Sequence, residues 1–194
     1  MEQIRVGFAL CGSFCTHAKA MEALERTAAR YRDITPIVSE QVAATDTRFG
    51  SAHDLMREIE RICDKRVIDT VKKAEPLGPK RLLDVLVICP CTGNTLSKLA
   101  AGAADTSVTM AAKAHLRNGR PLVIALSTND ALAGAAQNIG ALMARKHIYF
   151  VPFRQDDPAE KPTSAVADFS LVPDTIAAAL AGRQIQPVLL GPPA

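Results

Sequence analysis

The segment Leu82 to Lys113, LLDVLVICPCTGNTLSKLAAGAADTSVTMAAK, constrains this chain more than any other. Leu82 to Cys89 is nearly all apolar, a pattern that suits a strand buried on both faces of a parallel sheet. A short polar loop, Cys91 to Thr95, follows Pro90, and an alanine-rich helix starts at once. The first N–H groups of a helix have no partner within it, and the helix dipole favours negative charge there. Strand, polar loop and helix start therefore form a cradle for an anionic ligand or cofactor.

The rest of the chain repeats this alternation. Strands are expected at Ile4–Leu10, Ile34–Val38, Leu122–Leu126 and Ile148–Val151, with Pro36 marking an edge or irregular strand. Helices are expected at Cys15–Arg30, Ser51–Cys63, Asn94–Ala103, Ser107–Arg117, from Asp130 to about Lys146, and at Pro173–Leu180. Ser51 is placed to cap its helix, with Asp54 in the first turn. A short helix is expected near Val67–Lys73, then a rigid Pro/Gly turn holding Glu75. Ser39–Gly50 and 152–164 read as polar loops, and 187–194 as a flexible tail.

Strands alternating with helices predict one α/β domain over 1–194: three-layered, doubly wound and Rossmann-like (flavodoxin-like), with a mainly parallel sheet. At 194 residues the chain is long enough for one proper core. Hydrophobic residues make up 48%, which argues against disorder. A net charge of +3 without a long basic run gives no sign of nucleic-acid binding. No apolar run reaches membrane-spanning length, so a cytoplasmic protein is expected. The five cysteines fit a reducing compartment, and their spacings match no usual zinc pair, so no metal is expected.

Ligands of doubly wound sheets bind beyond the carboxyl ends of the strands. Those ends carry Gly12-Ser13, Ser39, Pro90 to Thr95 and Ser127 to Asp130, all small or polar. Gly12 and Ser13 can bind phosphate through N–H groups and a hydroxyl, or simply turn the chain; Phe14 is grouped with them. Thr92, Asn94 and Thr95 can read a polar ligand edge without adding charge, or cap the helix. Gly93, Ser127 and Thr128 complete the candidate cofactor contacts.

Pro90-Cys91-Thr92-Gly93-Asn94-Thr95, followed by Lys98, Gly102 and Ala104-Asp105, resembles the Pro-Ala-Ser-Ala-Asn-Thr segment of flavin-dependent cysteine decarboxylases and flavin prenyltransferases. In that superfamily the segment helps to hold FMN, and a Ser or Thr near the position of Ser39 contacts flavin. Thr47-Arg48-Phe49-Gly50, Glu75-Pro76-Leu77-Gly78-Pro79-Lys80 and Ser127-Thr128-Asn129-Asp130-Ala131-Leu132 narrow the match. With these segments the chain is similar, from about Ile4 to about Pro187, to the family of dipicolinate synthase B subunits from spore-forming bacteria.

The resemblance implies FMN in this chain, a dipicolinate synthase A subunit carrying NAD(P), and oxidation of a dihydrodipicolinate during sporulation, in the mother-cell compartment. It also implies self-association. A dicarboxylate substrate needs cationic partners. Arg48, able to form a bidentate fork, is one candidate, and His17, one turn past Ser13, is another within reach of the site. Asn129 and Glu75 are the candidates for the chemistry, Glu75 as a general base.

The departures are specific. Glu75-Pro76-Leu77 stands where the decarboxylases carry a histidine, the Met-Trp segment after the fourth strand is missing, and Cys91 and Gly93 replace small alanines. Two alternatives follow: a non-redox accessory protein that positions the A subunit or substrate, or a decarboxylase or prenyltransferase with another substrate.

Overall fold

The computed structural model describes residues 3–191. β1 (Arg5–Leu10) runs into a 3-10 turn at Phe14–Thr16 and then α1 (His17–Arg30). β2 (Asp33–Val38) follows and forms one edge of the sheet, where Pro36 is tolerated. Ser39 then caps a short helix, α2 (Glu40–Ala44), by accepting from the Val42 N–H. This helix lies inside the stretch expected to be loop, because five residues are too few to show a helical period and only the cap announces it. α3 (Ala52–Cys63) starts at Ser51, whose hydroxyl accepts from the Asp54 N–H as expected.

α4 (Val71–Ala74) and a 3-10 turn at Glu75–Leu77 lead to β3 (Val85–Cys91), buried along its whole length. Thr92 caps α5 (Gly93–Ala101), and a reciprocal Thr106–Thr109 capping box starts α6 (Ser107–Leu116). β4 (Leu122–Thr128) continues two residues further than its apolar run. α7 (Ala136–Met143) and β5 (Ile148–Phe150) follow. β6 (Phe153–Arg154) and β7 (Ala165–Ala167) form an antiparallel pair bracketing the 155–164 loop, and α8 (Val172–Leu180) comes last.

The parallel strands lie in the order β2-β1-β3-β4-β5. β7 joins the far end of β4 antiparallel, pairing Ser127 with Val166 and Thr128 with Ala165. The helices form two packed groups, α3–α1–α8 and α4–α6–α5–α7, which flank the sheet. The expected mainly parallel, three-layer domain is therefore what forms. The β6–β7 pair has no signature in the sequence, since strands of two and three residues carry no readable alternation. In the C-terminal segment, Val188 and Leu190 hydrogen-bond to the backbone of Phe153 at 3.0 and 2.9 Å. Residues 192–194 of the expected flexible tail lie outside the described residues.

Candidate functional site

In this strand order the connection reverses direction between β1 and β3. A ligand crevice opens at such a switch point, beyond the carboxyl ends of the strands. Two lobes open there, of about 510 and 480 Å³, and they share Gly12, Phe14, Thr92 and Asn94. Each falls within the range of about 300–1,000 Å³ typical of small-molecule sites.

The first lobe is floored by hydroxyls. The Cys11 carbonyl accepts the Ser13 N–H at 2.9 Å, which bends the chain sharply after β1. That turn brings Ser13 Oγ to 2.9 Å from Ser127 Oγ at the end of β4. Thr16 Oγ1 donates to the Ser13 carbonyl at 2.9 Å and lies 3.1 and 3.4 Å from the two serine hydroxyls. Three neutral hydroxyls from two strand ends thus meet at one point, each able to turn a proton toward an anion. Ser13 and Ser127 are legible in the sequence. Thr16 is missed by that reading, although its spacing of three from Ser13 on a helical turn is a usable signal.

The lobes meet at the start of α5. Thr92 Oγ1 accepts the Thr95 N–H at 3.2 Å and the Thr92 carbonyl accepts the Leu96 N–H. Among the described residues, the N–H groups of Gly93 and Asn94 are left open. The Asn94 side chain is exposed to the cleft and makes no hydrogen bond among the described residues. Thr95 turns inward instead, its hydroxyl 3.3 Å from Cys11 Sγ, and so ties α5 to β1. Burial pushes the Cys11 thiol up to about 11 and raises Cys89 and Cys91 well above the ordinary range. These three cysteines are therefore neutral packing groups. Ser39 borders the second lobe while capping α2.

Gly93 has no room for a side chain. A Cβ there would lie 2.7 Å from both Thr128 Oγ1 and Asp130 Oδ1. The Thr128 hydroxyl donates to Asp130, so the end of β4 folds onto the first turn of α5. Asn129 stands at the cleft rim, and its carbonyl accepts from Thr163 Oγ1 at 2.6 Å, which fastens the 155–164 loop over the first lobe. Asp156, Lys161 and Ser164 of that loop line the lobe. Ser164 Oγ donates to Asp156, and Lys161 lies 3.7 Å from the same carboxylate.

Three sequence candidates do not line this cleft. His17 is buried, 2.9 Å from the Cys11 carbonyl through Nε2, and burial lowers its pKa. It borders a separate recess of about 60 Å³ with Phe14 and Phe49. Arg48 is exposed and stacks over the Phe49 ring, 4.9 Å from its centroid. Glu75 is exposed three residues before Gly78, which packs on the Ala114 carbonyl in the last turn of α6. The first turn of α6 is the end at the cleft, where Ser107 Oγ donates to the Val38 carbonyl. Glu75 therefore belongs to the opposite end of α6. His17 is a candidate by its spacing from Ser13, Arg48 and Glu75 by their chemistry, and neither spacing nor chemistry carries the packing that sets their positions.

The chain belongs to the Flavoprotein family, whose model matches residues 1–180. It is 46% identical over 186 residues to the B subunit of dipicolinate synthase from Bacillus subtilis (strain 168), covering 96% of this chain and 93% of that one. The crystal structure of the dipicolinate synthase B subunit from Bacillus halodurans C matches with a TM-score of 0.89 at 47% identity, covering 98% of this chain and 99% of that chain. A more distant match is the FMN-dependent cysteine decarboxylase SpaF, with a TM-score of 0.65 at 25% identity, covering 91% and 97% of the two chains. The resemblance read from the sequence segments is thereby upheld. Among the described residues, no helix is long and apolar enough to cross a membrane.

Proposed function

We propose that this chain is the flavin-binding subunit of a dipicolinate synthase. It works with the A subunit, which carries the nicotinamide nucleotide, to oxidise a dihydrodipicolinate to dipicolinate. This reading rests on the two-lobed cleft, floored by hydroxyls and open helix N–H groups, in a chain 46% identical to a dipicolinate synthase B subunit. The setting that goes with this reading is the mother-cell cytoplasm of a sporulating bacterium, with the chain self-associated.

The residues present fit FMN. The Ser13, Thr16 and Ser127 hydroxyls would hold its phosphate through hydrogen bonds strengthened by the anion's charge. The open N–H groups of Gly93 and Asn94, with the Asn94 side chain and Thr92, would read the polar edge of the ring system. Phe14, between the lobes, supplies an apolar wall. Bound flavin supplies a two-electron acceptor beside the substrate. The protein's part is to orient the ring and exclude water, and the loop fastened by Thr163 to Asn129 serves that purpose.

An accessory, non-redox role is the second reading. It is favoured by one feature: Cys91 and Gly93 stand in the loop before and at the start of α5 where the flavin-dependent decarboxylases carry small alanines. The visible spectrum of the purified protein with added FMN separates the two. Flavin bands at near-stoichiometric amount, lost in Asn94→Ala while the complex with the A subunit persists, support the redox reading. A colourless protein that refuses FMN yet co-purifies with the A subunit supports the accessory one.

A further inference from the structure

We infer that Asp130 is the proton acceptor of this cleft, taking a ring proton from the bound dihydropyridine dicarboxylate; the inference rests on the function proposed above. Oxidation to an aromatic pyridine removes a hydride equivalent and a proton. One ring C–H bond breaks with its electron pair, as hydride, to a two-electron acceptor of the flavin or nicotinamide class. The neighbouring C–H bond breaks with its proton going to the Asp130 carboxylate, and its electron pair becomes the new ring double bond. The second transfer needs a base fixed inside the cleft.

The acids and histidines near the strand ends can be compared one by one. Glu40 accepts the Ser107 N–H at 2.8 Å, which commits it to the start of α6. Asp156 belongs to the covering loop and is taken by Ser164 and Lys161. Glu75 sits toward the far end of α6, and His17 is buried against the Cys11 carbonyl.

Asp105 lines the second lobe and is paired with Lys98. Asp130 is exposed to the cleft and also accepts from a hydroxyl, but among the described residues no cation pairs with it. It lines the first lobe beside Asn129, and its Oδ1 is held by the hydroxyl of Thr128, the last residue of β4. The same oxygen rests against Gly93, where a Cβ would come within 2.7 Å. Glycine at 93 is what lets the carboxylate approach the start of α5, close to the open Asn94. Rigid strand support on one side and a bare backbone on the other fix the group within reach of a ligand.

The test uses the full chain reconstituted with FMN and the A subunit, comparing wild type with Asp130→Asn and Thr128→Val. The amide is isosteric and can still accept from Thr128. Asp130→Asn should lower kcat about 100-fold or more, within the usual range for general-base removal, with KM and FMN titration unchanged. Thr128→Val should lower kcat by a smaller factor. A second readout needs no electron acceptor: wild type should speed deuterium uptake from D2O into the dihydrodipicolinate ring, followed by NMR, and Asp130→Asn should not. Unchanged kcat in Asp130→Asn, or undiminished deuterium uptake, overturns the inference. A loss of kcat matched by loss of FMN binding also overturns it, since the role would then be structural. A wild-type protein that neither binds FMN nor alters the turnover of the A subunit overturns the proposed function itself, and this inference with it.

Discussion

The two ends of the sheet treat their polar groups in opposite ways. At the amino end, where β1, β3 and β4 begin, charges are spent on one another. Arg5 grips Asp84 through Nε at 3.0 Å, Nη2 at 2.8 Å and its backbone N–H at 2.9 Å. Arg120 reaches the same carboxylate at 2.9 Å and also donates to the Leu83 carbonyl. The Arg5 guanidinium first, and Arg120 after it, hold the Asp84 carboxyl below the ordinary carboxylate range. His115 is buried beside them, with Nε2 2.9 Å from the Pro121 carbonyl. At the carboxyl end, among the described residues, the hydroxyls of Ser13, Thr16 and Ser127 bond only to one another and to the nearby backbone, and two helix N–H groups are open. An end whose polar groups are consumed internally contributes stability, and an end whose donors are uncommitted is available to a ligand.

The largest effect is expected at His115, at the amino end. Burial lowers its imidazole to about 4, against an ordinary 6.5. The unfolded chain then binds the extra proton between those values, so stability is fully present above about 6.5 and falls as pH drops toward 4. The loss should be about 2 kcal/mol between pH 7 and pH 4.5, read as the urea unfolding free energy at each. His115→Gln should flatten that slope. An equally steep slope in the variant would show that the amino end is not where acid acts.

A crossed pair of variants gives the next largest effect. Ser127→Ala should weaken FMN binding about tenfold, as expected for one lost bond to a charged group, with little change in unfolding. Asp84→Asn should do the reverse, costing about 1–3 kcal/mol of stability and leaving the flavin titration where it was. Fluorescence titration and chemical denaturation of both proteins would show whether the ends are separable. If each variant disturbs both readouts, the division fails.

The smallest effect is expected where the second lobe meets solvent. Lys98 pairs with the exposed Asp105 at 2.9 Å. Lys98→Met should change stability by less than about 1 kcal/mol, as surface pairs do. A larger loss would show that the cleft end also depends on an ion pair, and the contrast between the two ends would weaken.

Much of this is legible in the residues because it depends on neighbours in the chain. The unbroken apolar run of β3, the Ser51 cap with Asp54 in the first turn, and Thr92 opening α5 are local patterns with local causes. The small polar strand ends, Ser13, Thr92 to Asn94 and Ser127 to Asn129, are set by the same alternation, and the fold brings them to one cleft.

Other features have no short-range cause. The meeting of Ser13 with Ser127, 114 positions away, depends on β1 and β4 flanking β3. The covering loop reaches the cleft because two-residue β6 pairs with β7, and β7 with the end of β4. The exposed position of Glu75 away from the cleft turns on which way α6 runs, and the approach of Asp130 to α5 on the bare backbone of Gly93. Periodicity and capping act over a few residues, so the longer helices and strands, the fold class and the polar character of the strand ends follow from the residues alone, while α2, β6 and β7 are too short to announce themselves. Which side chains share one volume was decided only by packing between distant segments, because contact across a sheet depends on strand order and register.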